Sequence, residues 1–142
     1  MSHVVWDESY SVGDQELDEQ HKRWIDIHNR LHDDLLGCSA STLKTLATDA
    51  LKEMVRYVDH HFACEERYMA TIGYPEASAH WRLHKDFDNM IYSLLRDIED
   101  GEMPVLNSEL IKILQAWLVN HILVEDHKFA DFKKRSGQDT TA

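Results

Sequence analysis

Imidazole and carboxylate side chains are concentrated in the middle of the chain. Four of the ten histidines and two adjacent glutamates lie in the stretch HHFACEERYMATIGYPEASAHWRLH, which runs from His60 to His84. These two side-chain types bind iron, manganese or zinc, and ligand type alone does not choose among the three metals. The stretch therefore indicates a metal site, provided that the fold turns these side chains toward one another.

Four long helices are expected to position these side chains. Apolar residues recur at helical spacing in segments 15–36, 41–72, 76–100 and 107–132, and glycines and prolines fall at the breaks between them. Short connections between long helices imply antiparallel neighbours. The predicted fold is an all-α, up-down-up-down four-helix bundle in one domain, 1–142, with an extended arm, 1–14, and a polar tail, 133–142.

Composition argues against several classes of function. The formal net charge is -11 and the basic residues form no concentrated patch, so nucleic acid is not an expected partner. No run approaches the roughly 18 to 20 apolar residues that span a bilayer, so membrane insertion is not expected. The N-terminus shows no signal-like apolar segment, so Cys38 and Cys64 are interpreted as free thiols of a cytoplasmic protein.

Helical phase decides which side chains face the core. Positions four apart on a helix differ by about 40° and share a face. Glu65 therefore lies on the inward face of the second helix. Each predicted helix also turns at least one imidazole inward: His21, His61, His80 with His84, and His121. One core histidine is usually a neutral hydrogen-bonding group, but burying five with carboxylates would cost several kcal/mol unless cations compensate.

The remaining histidines are interpreted as non-ligands. His3 lies in the arm, His60 points about 100° away from the inward face of its helix, and His127 follows the inward region. His28 and His32 lie close to the inward stripe of the first helix and are interpreted as structural hydrogen-bonding groups. A second polar site, or a path for protons or ligands, is the alternative for these two.

Four sequence motifs resemble those of the hemerythrins, and in particular the bacterial single-domain members. They are LDEQHK from Leu17, HFACEE from His61, GYPEASAHWRLH from Gly73 and HILVED from His121. The opening VVWDESYSVGDQELDEQHK also resembles the N-terminal arm of that family. One motif alone would be weak, whereas four in this order and spacing are specific.

The resemblance implies a non-haem di-iron centre, with Fe2+ or Fe3+ ions and an oxo or hydroxo bridge. One iron would be bound by His80, His84 and His121, and the other by His21 and His61. Glu65 and Asp126 would each bridge both ions. On two octahedral irons, these residues and the oxo or hydroxo bridge fill eleven of twelve positions and leave one open, on the two-histidine side. The implied function is reversible O2 binding, as a carrier or store and not as an enzyme, with O2 held as peroxide on that iron.

Apolar side chains one helical turn from the ligands could keep this site dry. Water or outside protons would favour loss of peroxide and leave an inactive ferric form, so a dry sheath would protect reversible binding. Ordinary core packing accounts for the same residues and is compatible with this role. The candidates are Trp24, Ile25, Tyr57, Val58, Trp117 and Leu118.

Two other classes of function remain open. A di-iron oxidase, a peroxidase or a nitric-oxide-handling protein could also occupy a four-helix bundle, but ferritin-like bundles use paired Glu-x-x-His motifs that the inward pairs here lack. An O2 or redox sensing module would need a separate protein to receive its signal. For a carrier, O2 is the expected partner and an O2-consuming enzyme is a candidate recipient.

Helical geometry and the resemblance disagree about one carboxylate. Glu125 lies four residues after His121, whereas Asp126 lies five after it and about 140° away on a regular helix. Geometry favours Glu125 and the resemblance favours Asp126. A π-type bulge would reconcile them, and it would also turn Lys128 outward and centre Phe129 on the core. We therefore predict a helix that is overwound or bulged between His121 and Asp126, with Asp126 facing the site.

Overall fold

A computed structural model of the protein describes residues 3–37, 40–100 and 108–140. Within these ranges no residue lies in a β-strand, and the predicted all-α four-helix bundle is confirmed. The helices are α1 (Gln15–Gly37), α2 (Ala40–Ile72), α3 (Ala77–Glu99), α4 (Ser108–Asn120), a π-helical turn (His121–Glu125) and α5 (Asp126–Thr140). α4, the π turn and α5 follow without a break and together form the fourth helix of the bundle.

Packing of the amphipathic helices creates two apolar clusters with the buried histidines between them. α1 packs against α2 and α4, and α2 packs against α3. The large cluster draws on all four bundle helices and includes Trp24, Val58, Phe62, Phe87 and Leu118. The small cluster joins the arm, α1, α2 and α5, and includes Val12, Leu17, Met69 and Phe129. The large cluster reaches the imidazoles through Phe62 and the small one through Phe129, with ring centroids 5.6 Å from His121 and 5.5 Å from His80.

The arm is anchored along α1 by hydrogen bonds that involve its backbone. Val4 N–H donates to Asn29 Oδ1 at 2.9 Å, and Asn29 Nδ2 donates back to Val4 O at 2.8 Å. Nearer the start of α1, Val12 N–H donates to Asp18 Oδ1 at 2.9 Å. The arm is not extended throughout, because a 3-10 turn forms at Glu8–Tyr10 where the Asp7 side chain accepts from Ser9 N–H.

The predicted bulge in the fourth helix is confirmed. His121–Glu125 is π-helical, and the Asp126 N–H donates to His121 O five residues back. The turn is therefore bulged rather than overwound, since a π turn holds one more residue than an α turn. The phase shift leaves the Lys128 side chain 56% exposed and Phe129 fully buried, as the cost of burying a lysine requires.

The polar segment after 132 was expected to be a tail, and this expectation is wrong up to Thr140, where α5 ends. Lysine and arginine are good helix formers and are favoured near a helix C-terminus, so the basic residues 133–135 can extend the helix. Lys133 Nζ also lies 5.4 Å from the centre of the Tyr68 ring on α2. The other helix ends agree with the prediction to about one residue, the usual uncertainty of such boundaries.

Some predicted features lie outside the described residues. Cys38 and the connection before the fourth helix belong to this group. Among the helices that the structure describes, none has an apolar stretch that would reach across a membrane.

Removing the Asn29 side chain should loosen the arm. An Asn29→Ala variant loses both hydrogen bonds to Val4, and at about 0.5–1.5 kcal/mol each the free energy of unfolding should fall by roughly 1–3 kcal/mol. Thermal denaturation measures the effect as a lower Tm. Asn89→Ala, at an exposed position of α3, is the matched control and should not lower it. Equal Tm values for the two variants would contradict this account of the arm.

Candidate metal centre

Seven side chains predicted from the sequence meet in the interior, and we call them the seven-residue centre. Every bundle helix contributes to it, and no member is more than 3% exposed. The π turn brings Asp126 to the same side as His121, whereas Glu125 stays partly exposed and pairs with Lys128 at 3.2 Å. The members are His21, His61, Glu65, His80, His84, His121 and Asp126.

The imidazoles fall into two sets on either side of the carboxylates. The three-histidine set, His80, His84 and His121, groups with Glu65, and its potential ligand atoms lie within 4.8 Å of one another. The two-histidine set, His21 and His61, groups with Glu65 and Asp126 by the same criterion. Two adjacent positions for cations follow from this arrangement, with Glu65 common to both.

Each carboxylate directs one oxygen toward each set. Glu65 Oε1 lies 3.0–3.4 Å from the Nε2 atoms of the three-histidine set, and its Oε2 lies 3.1 and 2.7 Å from those of the two-histidine set. Asp126 Oδ1 lies 3.1 Å from His80 Nε2 and 3.0 Å from His121 Nε2, and its Oδ2 lies 2.9 Å from His21 Nε2. This is the geometry that two carboxylates need in order to bridge two cations.

Hydrogen bonding on the outer side of the rings fixes how two imidazoles point. His61 Nδ1–H donates to Gln20 Oε1 at 2.7 Å, and His84 Nδ1–H donates to Glu66 Oε2 at 2.8 Å. Each bond places the proton on Nδ1 and leaves the Nε2 lone pair directed into the centre. Metal-binding histidines commonly have such a partner.

The donor atoms fit cations better than they fit one another. His61 Nε2 lies 2.7 Å from Glu65 Oε2, yet it is buried and has no partner with hydrogen-bond geometry. Both carboxylate oxygens of Asp126 are also buried without a partner that has hydrogen-bond geometry. A lone pair on His61 Nε2 facing an anionic oxygen at this distance is repulsive unless positive charge lies between them. The arrangement therefore matches the donor set of a di-iron centre, in which bound cations would supply that charge.

The pKa values of the buried groups also indicate that the centre requires positive charge. Burial disfavours ionisation of Glu65, but His61, His121 and His21 outweigh it and hold the pKa of Glu65 well below its usual value. Burial also disfavours a charged His121, yet Asp126 and Glu65 raise the pKa of His121 to about 10. In His61 burial prevails and lowers the pKa. His121 and His21 likewise hold the pKa of Asp126 below its usual value despite burial. The two buried carboxylates thus hold their negative charge and require compensating positive charge.

Aromatic rings enclose the centre, and the closest of them was not predicted. Phe62 stacks on His84 with ring centroids 3.8 Å apart and planes 3° apart. Trp117 stacks on His121 at 4.7 Å, and Trp24 lies 5.9 Å from His61. Phe62 directly follows His61 in the sequence, so its proximity to a predicted site residue was a usable signal. The same holds for Gln20 beside His21 and Glu66 beside Glu65.

The predicted sheath residues lie in or against the large cluster. Four of them are buried members: Trp24, Ile25, Val58 and Leu118. Tyr57 and Trp117 are partly buried and pack against it. The Tyr57 hydroxyl donates to Gln20 O at 3.3 Å, so this residue also supports the backbone beside His21.

The histidines interpreted as non-ligands lie outside the seven-residue centre. His60 is exposed, and His127 Nδ1–H donates to Ile122 O at 2.7 Å. His28 Nε2–H donates to Gln115 Oε1 at 3.4 Å. His3 and His32 lie together on the arm side of α1, with ring centroids 4.8 Å apart.

Adjacent carboxylates at the end of the π turn provide a matched test of the site. Asp126→Asn should lower metal affinity by at least about 10–100-fold, because it removes the negative charge of a carboxylate whose oxygens reach both histidine sets. Glu125→Gln should retain as much metal as the unaltered protein. Metal analysis after dialysis against a graded series of chelator concentrations measures both. Equal metal retention by the two variants would contradict the assignment of Asp126 to the centre.

Comparison with known proteins agrees with the site. A family model described as the hemerythrin HHE cation binding domain matches residues 12–132. Bacteriohemerythrin of Stenotrophomonas maltophilia is 33% identical over 131 residues, covering 92% of this chain and 82% of that protein. A hemerythrin-like protein of Naegleria gruberi is 34% identical over 124 residues, covering 87% of this chain and 88% of that protein.

Solved structures lead to the same group. A crystal structure of wild-type hemerythrin superposes with a TM-score of 0.79 at 27% identity, covering 92% of this chain and 97% of that chain. The family model spans most of the chain, and its match includes all seven residues of the centre. The chain belongs to the hemerythrin family.

Proposed function

We propose that the protein binds O2 reversibly, as a carrier or store, at two iron ions held by the seven-residue centre. The observation that carries the proposal is the bridging geometry of Glu65 and Asp126 between two unequal sets of imidazoles. Membership of the hemerythrin family supports iron as the metal. Two iron ions held there would supply the electrons and the open coordination position with which one O2 molecule binds.

The two histidine sets would have different tasks. His80, His84 and His121 would complete the ligands of one ion together with Glu65 and Asp126. His21 and His61 provide one imidazole fewer, so the position for a small molecule lies on their side. Trp24, whose ring lies 5.9 Å from that of His61, is the nearby aromatic wall. Such an open position suits binding of a small molecule, whereas a purely structural site would be closed.

Residues outside the ligand set would keep the imidazoles in place. The bonds from His61 to Gln20 and from His84 to Glu66 hold the Nδ1 proton on the outer side of each ring. Stacking of Phe62 on His84 and of Trp117 on His121 restricts rotation of those rings. The centre is therefore rigid before any small molecule enters, which limits the reorganisation that binding requires.

Exclusion of water favours binding over chemistry. The large cluster covers the centre on one side, and Trp24, Ile25, Val58 and Leu118 within it are at most 3% exposed. These side chains offer no acid or base that could protonate a bound molecule. This supports a carrier more than an oxidase, which must bring a substrate to the metals. An O2-consuming enzyme is the expected recipient, and the cytoplasm, where Cys64 would remain a free thiol, is the expected location.

An oxygenation cycle tests the proposal. Iron-loaded protein is reduced without air, exposed to O2 and then flushed with inert gas while the visible spectrum is recorded. We expect a spectral change that reverses over repeated cycles. His60→Gln should behave like the unaltered protein, because His60 is exposed, whereas the neighbouring His61→Gln should lose the cycle, because His61 lies 2.7 Å from Glu65. Irreversible oxidation with release of a product would instead support the oxidase alternative.

A hydroxyl placed in the sheath tests its dryness. Val58→Thr keeps nearly the same volume but adds a polar group at a position that is fully buried. The oxygenated form should then decay to the inactive ferric form several-fold faster in a stopped-flow or spectral time course. Val119→Thr is the control, since Val119 is only partly buried and packs at the margin of the large cluster. Equal decay rates for the two variants would show that Val58 does not exclude water from the centre.

A further inference from the structure

We propose that His3, His32 and Asp33 form a second metal site, for a late first-row divalent ion such as Zn2+. The three residues join the arm to α1, with the seven-residue centre nearer the start of that helix. The site is independent of the proposed O2 binding, because it shares no residue with the centre. It also revises the interpretation of His3 as a non-ligand and selects the second polar site as the role of His32.

The donor atoms are already close to one another. His3 Nε2 lies 2.6 Å from Asp33 Oδ1, and His32 Nδ1 lies 3.3 Å from the same oxygen. The three residues offer ligand atoms that all lie within 4.8 Å of each other. Ligands at about 2.0–2.2 Å from a tetrahedral ion are roughly 3.4 Å apart, so the two distances to Asp33 Oδ1 would need to change by less than about 1 Å to admit the metal. The imidazole planes are 75° apart, so the two rings can bind one ion from different directions.

The backbone holds these ligands in place without help from the metal. His32 and Asp33 are consecutive residues within α1. His3 precedes Val4, which is 5% exposed and whose backbone is fixed by the paired hydrogen bonds with Asn29. Because the arm is already anchored, binding does not carry the entropy cost of ordering a free chain segment. Preorganisation of this kind separates a metal site from histidines that meet by chance on a surface.

Chemistry and accessibility of the cluster suit a late first-row divalent ion. Two imidazoles and a carboxylate are frequent ligands of Zn2+, and a water molecule would complete four-coordination. The side chains of His3 and Asp33 are 44% and 61% exposed, so the ion has a route in and the water has room. His32 is 9% exposed in its side chain and forms the floor of the site. Affinity should follow the order Ni2+ < Cu2+ > Zn2+, with Fe2+ weaker.

Neighbouring groups leave the cluster ready for a cation. Hydrogen bonds from His3 and His32 lower the pKa of Asp33, so its carboxylate is ionised under ordinary conditions. Beneath them, burial lowers the pKa of His28 and thus favours its neutral form. The buried His28 therefore adds no competing positive charge next to the site. A bound ion would fasten the arm to α1 and stabilise the folded protein by mass action.

Zinc titration of the iron-loaded protein tests the proposal. ZnCl2 is added in equilibrium dialysis, and zinc and iron are both measured in the protein compartment. We expect one Zn2+ per chain with no loss of iron. His3→Gln and Asp33→Asn alter exposed side chains, so the fold should survive, and each should weaken zinc binding by about tenfold or more. His60→Gln, which removes an exposed histidine elsewhere, should leave zinc binding unchanged.

A spectroscopic measurement identifies the ligands directly. Zinc-edge X-ray absorption of the loaded protein should show scattering from two imidazoles, falling to one in His3→Gln. The proposal is overturned if no zinc beyond that which displaces iron is bound, or if both variants bind zinc as tightly as the unaltered protein. Retention of iron and of the helical circular dichroism in each variant separates ligand loss from unfolding.

Discussion

Burial of Glu65 and Asp126 is the constraint on which the rest of the structure depends. Two ionised carboxylates in a dry interior are costly unless positive charge lies against them. Among the described residues, the five buried imidazoles are the groups that surround them and can carry a proton or bind a cation. All four bundle helices supply those imidazoles, so the bundle must close around this one polar layer. The apolar clusters on either side then fix the helices at a distance set by the imidazoles and carboxylates.

This constraint also accounts for the irregular fourth helix. A regular helix would have brought Glu125 toward the centre and Lys128 into the core. The π turn keeps His121 and Asp126 on one face and returns Phe129 to the small cluster. An irregular turn costs stability in an isolated helix, and here it persists because a carboxylate and an aromatic ring both require the shifted phase.

Helical phase was sufficient to predict the pairs of site residues that lie one helical turn apart. His61 with Glu65, and His80 with His84, are four residues apart and came directly from that rule. Asp126 needed the family resemblance, because its position violates the rule. The structure brings these five residues together, and their role as iron ligands is part of the proposed function.

Gln20 and Glu66 were missed because their importance depends on which way an imidazole ring faces, and helical phase does not specify that. The extension of α5 was missed because Lys133 packs on Tyr68, which is distant in sequence and carries no periodic signal.

The two outer hydrogen bonds have a consequence for the electronic character of the centre. An imidazole that donates to a carboxylate becomes a stronger electron donor than one that donates to a neutral amide. His84 donates to Glu66 and belongs to the three-histidine set, whereas His61 donates to Gln20 and belongs to the two-histidine set. The side with more imidazoles thus also has the more electron-rich one. Two metal ions held here would differ in reduction potential, and the ion of the three-histidine side would be the easier one to oxidise.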